Sequence, residues 1–158
     1  MAVLEYSDVK AFFLKAMKHH PFINGIDADK SKIHPGFETF EFEDGAFKLV
    51  DTWYPGNYCS GYTMIWHNGK PAWMMTFGGK YPGETLTTLR GALKEAYLTD
   101  SFIGGRGVRI HTNGVLTYIN IVPSGDDFMR GEGEEIIVNT SSNEIIGYHK
   151  YFYQALGN

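Results

Sequence analysis

Between residues 7 and 18, "SDVKAFFLKAMK", apolar side chains recur at Val9, Phe12, Phe13, Ala16 and Met17. That spacing of i, i+3, i+4, i+7 and i+8 is the stripe of a helix buried along one side. Ser7 is placed to cap its start. His19-His20-Pro21 ends it, because the residue before a proline is driven out of the α region. The next stretch, "HHPFINGIDADKSKIHPG", has turn signals and no period, and reads as a loop. From Phe37 the period drops to two. "FETFEF" alternates Phe37, Thr39 and Glu41 with Glu38, Phe40 and Phe42, and "AFKLVDTWY" sets Phe47, Leu49, Asp51 and Trp53 on one face. Asp44-Gly45 and Asn68-Gly69 each join two apolar runs, a hairpin signal that rests on the positive φ of a tight turn. These runs make a meander of four strands.

The pattern then returns. "ETLTTLRGALKEAYL", residues 84 to 98, gathers Leu86, Leu89, Leu93, Ala96 and Tyr97 on one helical face, and strands follow in "RGVRIHT", "VLTYINIV", "EEIIVN" and "EIIGYHKYFY". "DGAFKLVDTWYPG" aligns turn to turn with "NGVLTYINIVPSG", which matches Leu49 with Tyr118, Asp51 with Asn120 and Trp53 with Val122. Gly61 and Gly131 open the strands that come next, with Ile65 against Ile137. The expectation is an α+β fold in one domain, 1–158. Its mostly antiparallel sheet is built from pseudo-repeats 7–80 and 84–153, each a helix plus a four-stranded meander, with the helices packed on one face.

Composition narrows the functional classes. A chain of 158 residues buries about 70% of its unfolded surface and needs no covalent staple. Cys59 is the single cysteine, so no internal disulfide forms, which favours a reducing compartment. The opening "MAVLEYSDVK" carries Glu5 and Asp8 and does not read as a signal peptide. No apolar run approaches the ~20 residues of a membrane span. Cytoplasmic, with no membrane partner, is the expectation. Fourteen basic against 18 acidic side chains, net −4, argue against a nucleic-acid surface.

Several positions bear on chemistry. Asp51 and Asn120 interrupt equivalent apolar stripes, so each is read as pointing to the covered face. Three readings stand: a polar anchor at the floor of a pocket, a buried hydrogen bond that holds the meander, or simply an outward-facing stripe. Trp53, Trp66 and Trp73 all fall in the first half, where the second half offers Val122 and Val138. Large rings against small aliphatics give either packed core or the wall of an aromatic pocket. "DADKSKIHPGFE" mimics a calcium loop, but Lys32 stands at its glycine position and no exiting helix follows. His19 and His20, being adjacent, read as decoration of a solvated helix end. His111 and His149 lie in strands and could meet, without a clear third ligand. "IGGRG", residues 103 to 107, is a loop rather than a phosphate cradle, and Arg106 beside it could meet an anion. No metal or cofactor is implied.

Taken as a set, "DGAFKLVDTW", "SGY", "NGKPAWMMTFGG", "RGVRIHTNGVLTY" and "GYHKYFY" resemble a bacterial domain family of unknown function, found alone or C-terminal to Xre-type helix-turn-helix domains. The resemblance runs from Phe12 to Tyr153. It implies a sensing or interaction role, in a chain that has no helix-turn-helix of its own. Two positions depart from that family. Thr63 stands where a glutamate often follows the glycine of the third strand, and Thr76 where an asparagine follows the methionine; Glu134 and Glu135 lie near the equivalent place in the second half.

The leading expectation is a non-catalytic module that binds a small apolar or aromatic molecule, with Asp51, Trp53, Trp66, Trp73, Met75, Asn120 and His149 as candidate contacts. The second is a protein-interaction module that forms a homodimer through a sheet edge or an aromatic patch. The third is an enzyme using Asp51, Glu134 or a histidine as acid or base, ranked last because no nucleophile, metal set or cofactor loop declares itself.

Overall fold

A computed structural model describes residues 4–103, 106–123 and 127–157. Helix α1 spans Tyr6–Met17, a one-turn helix α2 follows at Pro21–Asn24, and five strands come next: β1 (Asp29–Lys30), β2 (Glu38–Asp44), β3 (Phe47–Trp53), β4 (Tyr58–His67) and β5 (Lys70–Lys80). A 3-10 turn at Gly83–Thr85 leads into α3 (Leu86–Leu98). Four strands complete the chain: β6 (Ile110–Asn113), β7 (Leu116–Ile121), β8 (Arg130–Asn139) and β9 (Glu144–Ala155). All nine strands lie in one antiparallel sheet of order β1-β2-β3-β4-β5-β9-β8-β7-β6.

The turns form where the dipeptides demand them. Asn68 and Gly69 both take positive φ, 50° and 73°, the backbone that a two-residue hairpin turn needs and that Asn and Gly tolerate best. The helices share one face of the sheet, α1 against β2 and β3 and α3 against β6 and β7. Beneath them lie Leu49, Ile65, Trp73, Tyr118 and Ile137, each fully buried. The two outer strands are short, which limits the unpaired edge offered to another chain.

Three local expectations change. Ser7 lies inside α1, and the cap position is Glu5, whose side chain makes no capping bond. The stretch read as a loop after α1 contains α2 and β1. The third concerns register. β4 and β8 share the same succession of buried and exposed positions, and each has a register shift just after an isoleucine, Ile65 and Ile137. Counting back from those bulges pairs Gly61 with Gly133, not with Gly131. Of the loop through Pro123-Ser124-Gly125, the last two residues lie outside the described residues, as do Gly104 and Gly105 of the glycine cluster.

Candidate functional site

Strand pairing sets two rows of side chains on the helix-covered face. In the first half Asp51 pairs Thr63 and Thr63 pairs Met75. In the second, Asn120 pairs Glu135 and Glu135 pairs His149. Each row sits two residues from the bulge isoleucine of its half, so the rows occupy corresponding places. Their environments differ.

The first row floors a partly enclosed cavity of about 380 Å³ beneath α1, α2 and α3. Phe13, Met17, Leu89, Leu93 and Trp53 give it apolar walls. At its floor Asp51, 5% exposed, accepts hydrogen bonds from Thr63 Oγ1 at 2.8 Å and from His20 Nε2 at 2.6 Å. The tautomer of His20 follows from its other nitrogen. Nδ1 accepts the backbone N–H of Phe22 at 3.2 Å, so the ring proton is on Nε2 and faces Asp51. His20 is thus the cap of α2 and a buried partner of Asp51, not a solvated ornament. Pro21, at the first position of α2, turns the chain and aims the imidazole inward. A histidine immediately before such a proline is the signal that could have revealed it. His19, by contrast, is exposed and stacks on Phe42, centroids 5.0 Å apart.

The second row is saturated by polar bonds. Glu135 is fully buried and accepts from Tyr81 Oη and Tyr118 Oη, both at 2.8 Å. Arg106 Nη1 lies 3.6 Å from Glu135 Oε2 and 2.7 Å from His149 Nδ1. Burial alone would raise the Glu135 carboxyl, but Arg106, His149 and Tyr81 outweigh it and hold the group down at about 2. Burial, and then the Arg106 charge, push His149 below the usual imidazole range, so it is neutral. Arg106 therefore meets an anion, as its position suggested, but one from within the chain. Asn120 donates to the Gly107 carbonyl at 3.1 Å and accepts from Tyr151 Oη at 2.8 Å. It ties down the segment that carries Arg106.

Of the residues singled out from the sequence, Asp51, Trp53, Met75 and His149 line the cavity together. Trp73 does not line it. It is buried core, stacked on Phe128 with centroids 4.8 Å apart and donating Nε1–H to the Phe128 carbonyl at 2.9 Å. Trp66 pairs with Lys48, on the face opposite Leu49, and so turns away from the cavity. Asn120 sits across β9 and β8 from it. Nor is the second half lined with small aliphatics: Tyr118, Tyr151 and Tyr153 are all buried there. His111 pairs with Glu95 at 3.0 Å and is separated from His149 by β7 and β8. His20, Thr63, Arg106 and Cys59 also line the cavity, and none of them was among the candidate contacts read from the sequence. Alternation with Ile137 on the same strand face was the available clue for Glu135.

Among the described residues, no group of three His, Cys, Asp or Glu side chains could hold a metal ion, and no helix is long and apolar enough to cross a membrane. Burial pushes the Cys59 thiol above its ordinary range, away from the thiolate a nucleophile needs. A second hollow, an open groove of about 1030 Å³, crosses the uncovered face past Tyr62, Thr76, Glu134 and Phe152. It is shallow, and no buried polar side chains converge on it. The cavity is the better-formed site.

Fold and site thus define an α+β protein whose open antiparallel sheet is roofed on one face over an internal cavity. No known family model, curated protein or solved structure matches the chain, so its function is argued from the site itself.

Proposed function

We propose that the protein is a non-catalytic binding module whose cavity takes a small, largely apolar or aromatic molecule. The cavity is the observation that carries this. Protein interiors hold few voids larger than a water molecule, and about 380 Å³ falls in the range of small-molecule sites. Its walls come from three helices and five strands, which suits a pre-formed pocket.

The bonding at its floor favours binding over catalysis. A general base needs a lone pair facing its substrate. Both nitrogens of His20 are engaged, so its ring has no free lone pair, and Asp51 is spent on holding His20 and Thr63 in place. Glu134, the other acid or base considered, lies in the open groove on the far face.

We also read the two halves as copies of one ancestral unit. The mirrored strand order, the equivalent bulges and the matched rows Asp51-Thr63-Met75 and Asn120-Glu135-His149 support this. On that reading the first copy kept a hollow, and the second filled its own with tyrosines and an ion pair.

A thermal-shift screen of apolar and aromatic fragments tests the binding reading, since a ligand of the native state raises the midpoint. Fragments that stabilise the wild type should lose their effect on a Leu93→Phe variant, whose added ring occupies the cavity. A screen with no stabilising fragment, or hits indifferent to Leu93→Phe, would count against it.

A further inference from the structure

Resting on the reading of the cavity as a ligand site, we propose that its guest is a small carboxylic acid, an apolar or aromatic body whose carboxylate is held by Arg106. The argument is a count of donors and acceptors. A guanidinium carries five N–H donors and no acceptor. Among the described residues, the partners of Arg106 are His149 Nδ1, the Glu135 carboxylate and the hydroxyl of Tyr97, which engage at most three of them. Its side chain is 16% exposed and lines the cavity.

His149 backs the guanidinium from inside. Its Nδ1 lies 2.7 Å from Arg106 Nη1 and 3.4 Å from Glu135 Oε2, and its Nε2 lies 3.4 Å from the same Nη1. A ring 1% exposed, with Arg106 on one side and Glu135 on the other, fixes where the fork sits at this end of the cavity.

A ligand oxygen is what this end lacks, and an ionised one makes the stronger bond. Hydrogen bonds from arginine to a carboxylate are about twice as strong as neutral ones, and the planar fork matches both oxygens. Glu135 meets the fork through one nitrogen only, Nη1 at 3.6 Å from Oε2, a charge contact too long for a hydrogen bond. The ring of Phe77, 4.9 Å from the guanidinium carbon, holds the fork in place from one side. The apolar body then lies toward Met75, Leu89 and Leu93. Acidic groups also line the cavity, Asp51 at the floor and Asp27 and Glu38 near the rim, so an amine is the rival to test.

Calorimetric titration of the whole chain with 3-phenylpropionate, its primary amide and 3-phenylpropylamine separates the cases, because the three share one skeleton. The acid should bind at least about tenfold more tightly than the amide, and the amine most weakly. Arg106→Lys, which keeps the charge and loses the fork, should narrow the preference for the acid over the amide. The wild-type comparison decides by itself if that variant fails to fold. An amide or amine that binds as tightly as the acid would leave the cavity reading intact and overturn the carboxylate. If none of the three binds, the cavity reading falls and the carboxylate goes with it.

Discussion

Asp51 and Glu135 occupy corresponding rows of one sheet, yet they are stabilised by different means. Asp51 receives one N–H and one O–H. Truncating it to alanine leaves His20 Nε2–H and the Thr63 hydroxyl buried without an acceptor. Each orphaned group costs about 1–3 kcal/mol, so Asp51→Ala should lower unfolding stability in urea by several kcal/mol. Asp51→Asn, which keeps one acceptor oxygen, should lose less. Glu135 is a case of proton linkage. Its carboxyl is held at about 2 in the fold against 4.5 ordinarily, so the unfolded chain takes up its proton first as the pH falls. Its contribution is complete above about 4.5 and is lost as the pH drops toward about 2, a total on the order of 3 kcal/mol. Glu135→Gln should therefore be less stable than wild type at neutral pH, and the gap should close as acid is added. The tryptophans offer a third check. Only Trp53 of the three lines the cavity, so a ligand-induced change in tryptophan emission should vanish in Trp53→Phe and survive in Trp66→Phe.

At the level of strands and helices, the join between halves is the sensitive point. β5 and β9 pair through Gly79 and His149. A Cβ on Gly79 would run into the backbone carbonyl of Tyr148 and the Cα of His149. Gly79→Ala should therefore push these strands apart and cost about 1–3 kcal/mol, read as a lower melting midpoint. It should also disturb the His149 ring, and with it the polar end of the cavity. The same level shows what periodicity conveys. The apolar stripes of α1 and α3 and the Asn-Gly turn could be read directly, since each depends on neighbours within a few residues. The one-turn α2 could not. Its formation depends on Pro21 redirecting the chain and on Asp51, 31 residues away, accepting the proton of the capping histidine.

Across the whole molecule, β9 is the last strand in sequence but lies at the centre of the sheet, between β5 and β8. Both halves therefore depend on a segment that arrives last, and pairings of such long separation fold slowly. A chain cut before Glu144 should fail to form the sheet, visible as lost strand signal in circular dichroism and loss of a cooperative melt. The cavity is a property of this level too. It lies where α1, α2 and α3 meet over the first-half row, while Tyr118 and its neighbours fill the ground over the second.

The residues alone determined the two long helices, the strands of the meanders and the tight turns, because these follow from short-range period and backbone preference. They also marked Asp51 and Asn120 as polar interruptions of apolar stripes, and the fold placed both on the buried side. Only the tertiary structure decided which rings pack and which line a hollow, that Arg106 and His149 sit beside Glu135, and that His20 reaches Asp51. Those outcomes depend on contacts between distant segments and on how completely bulky side chains fill the space between layers, which no local pattern records.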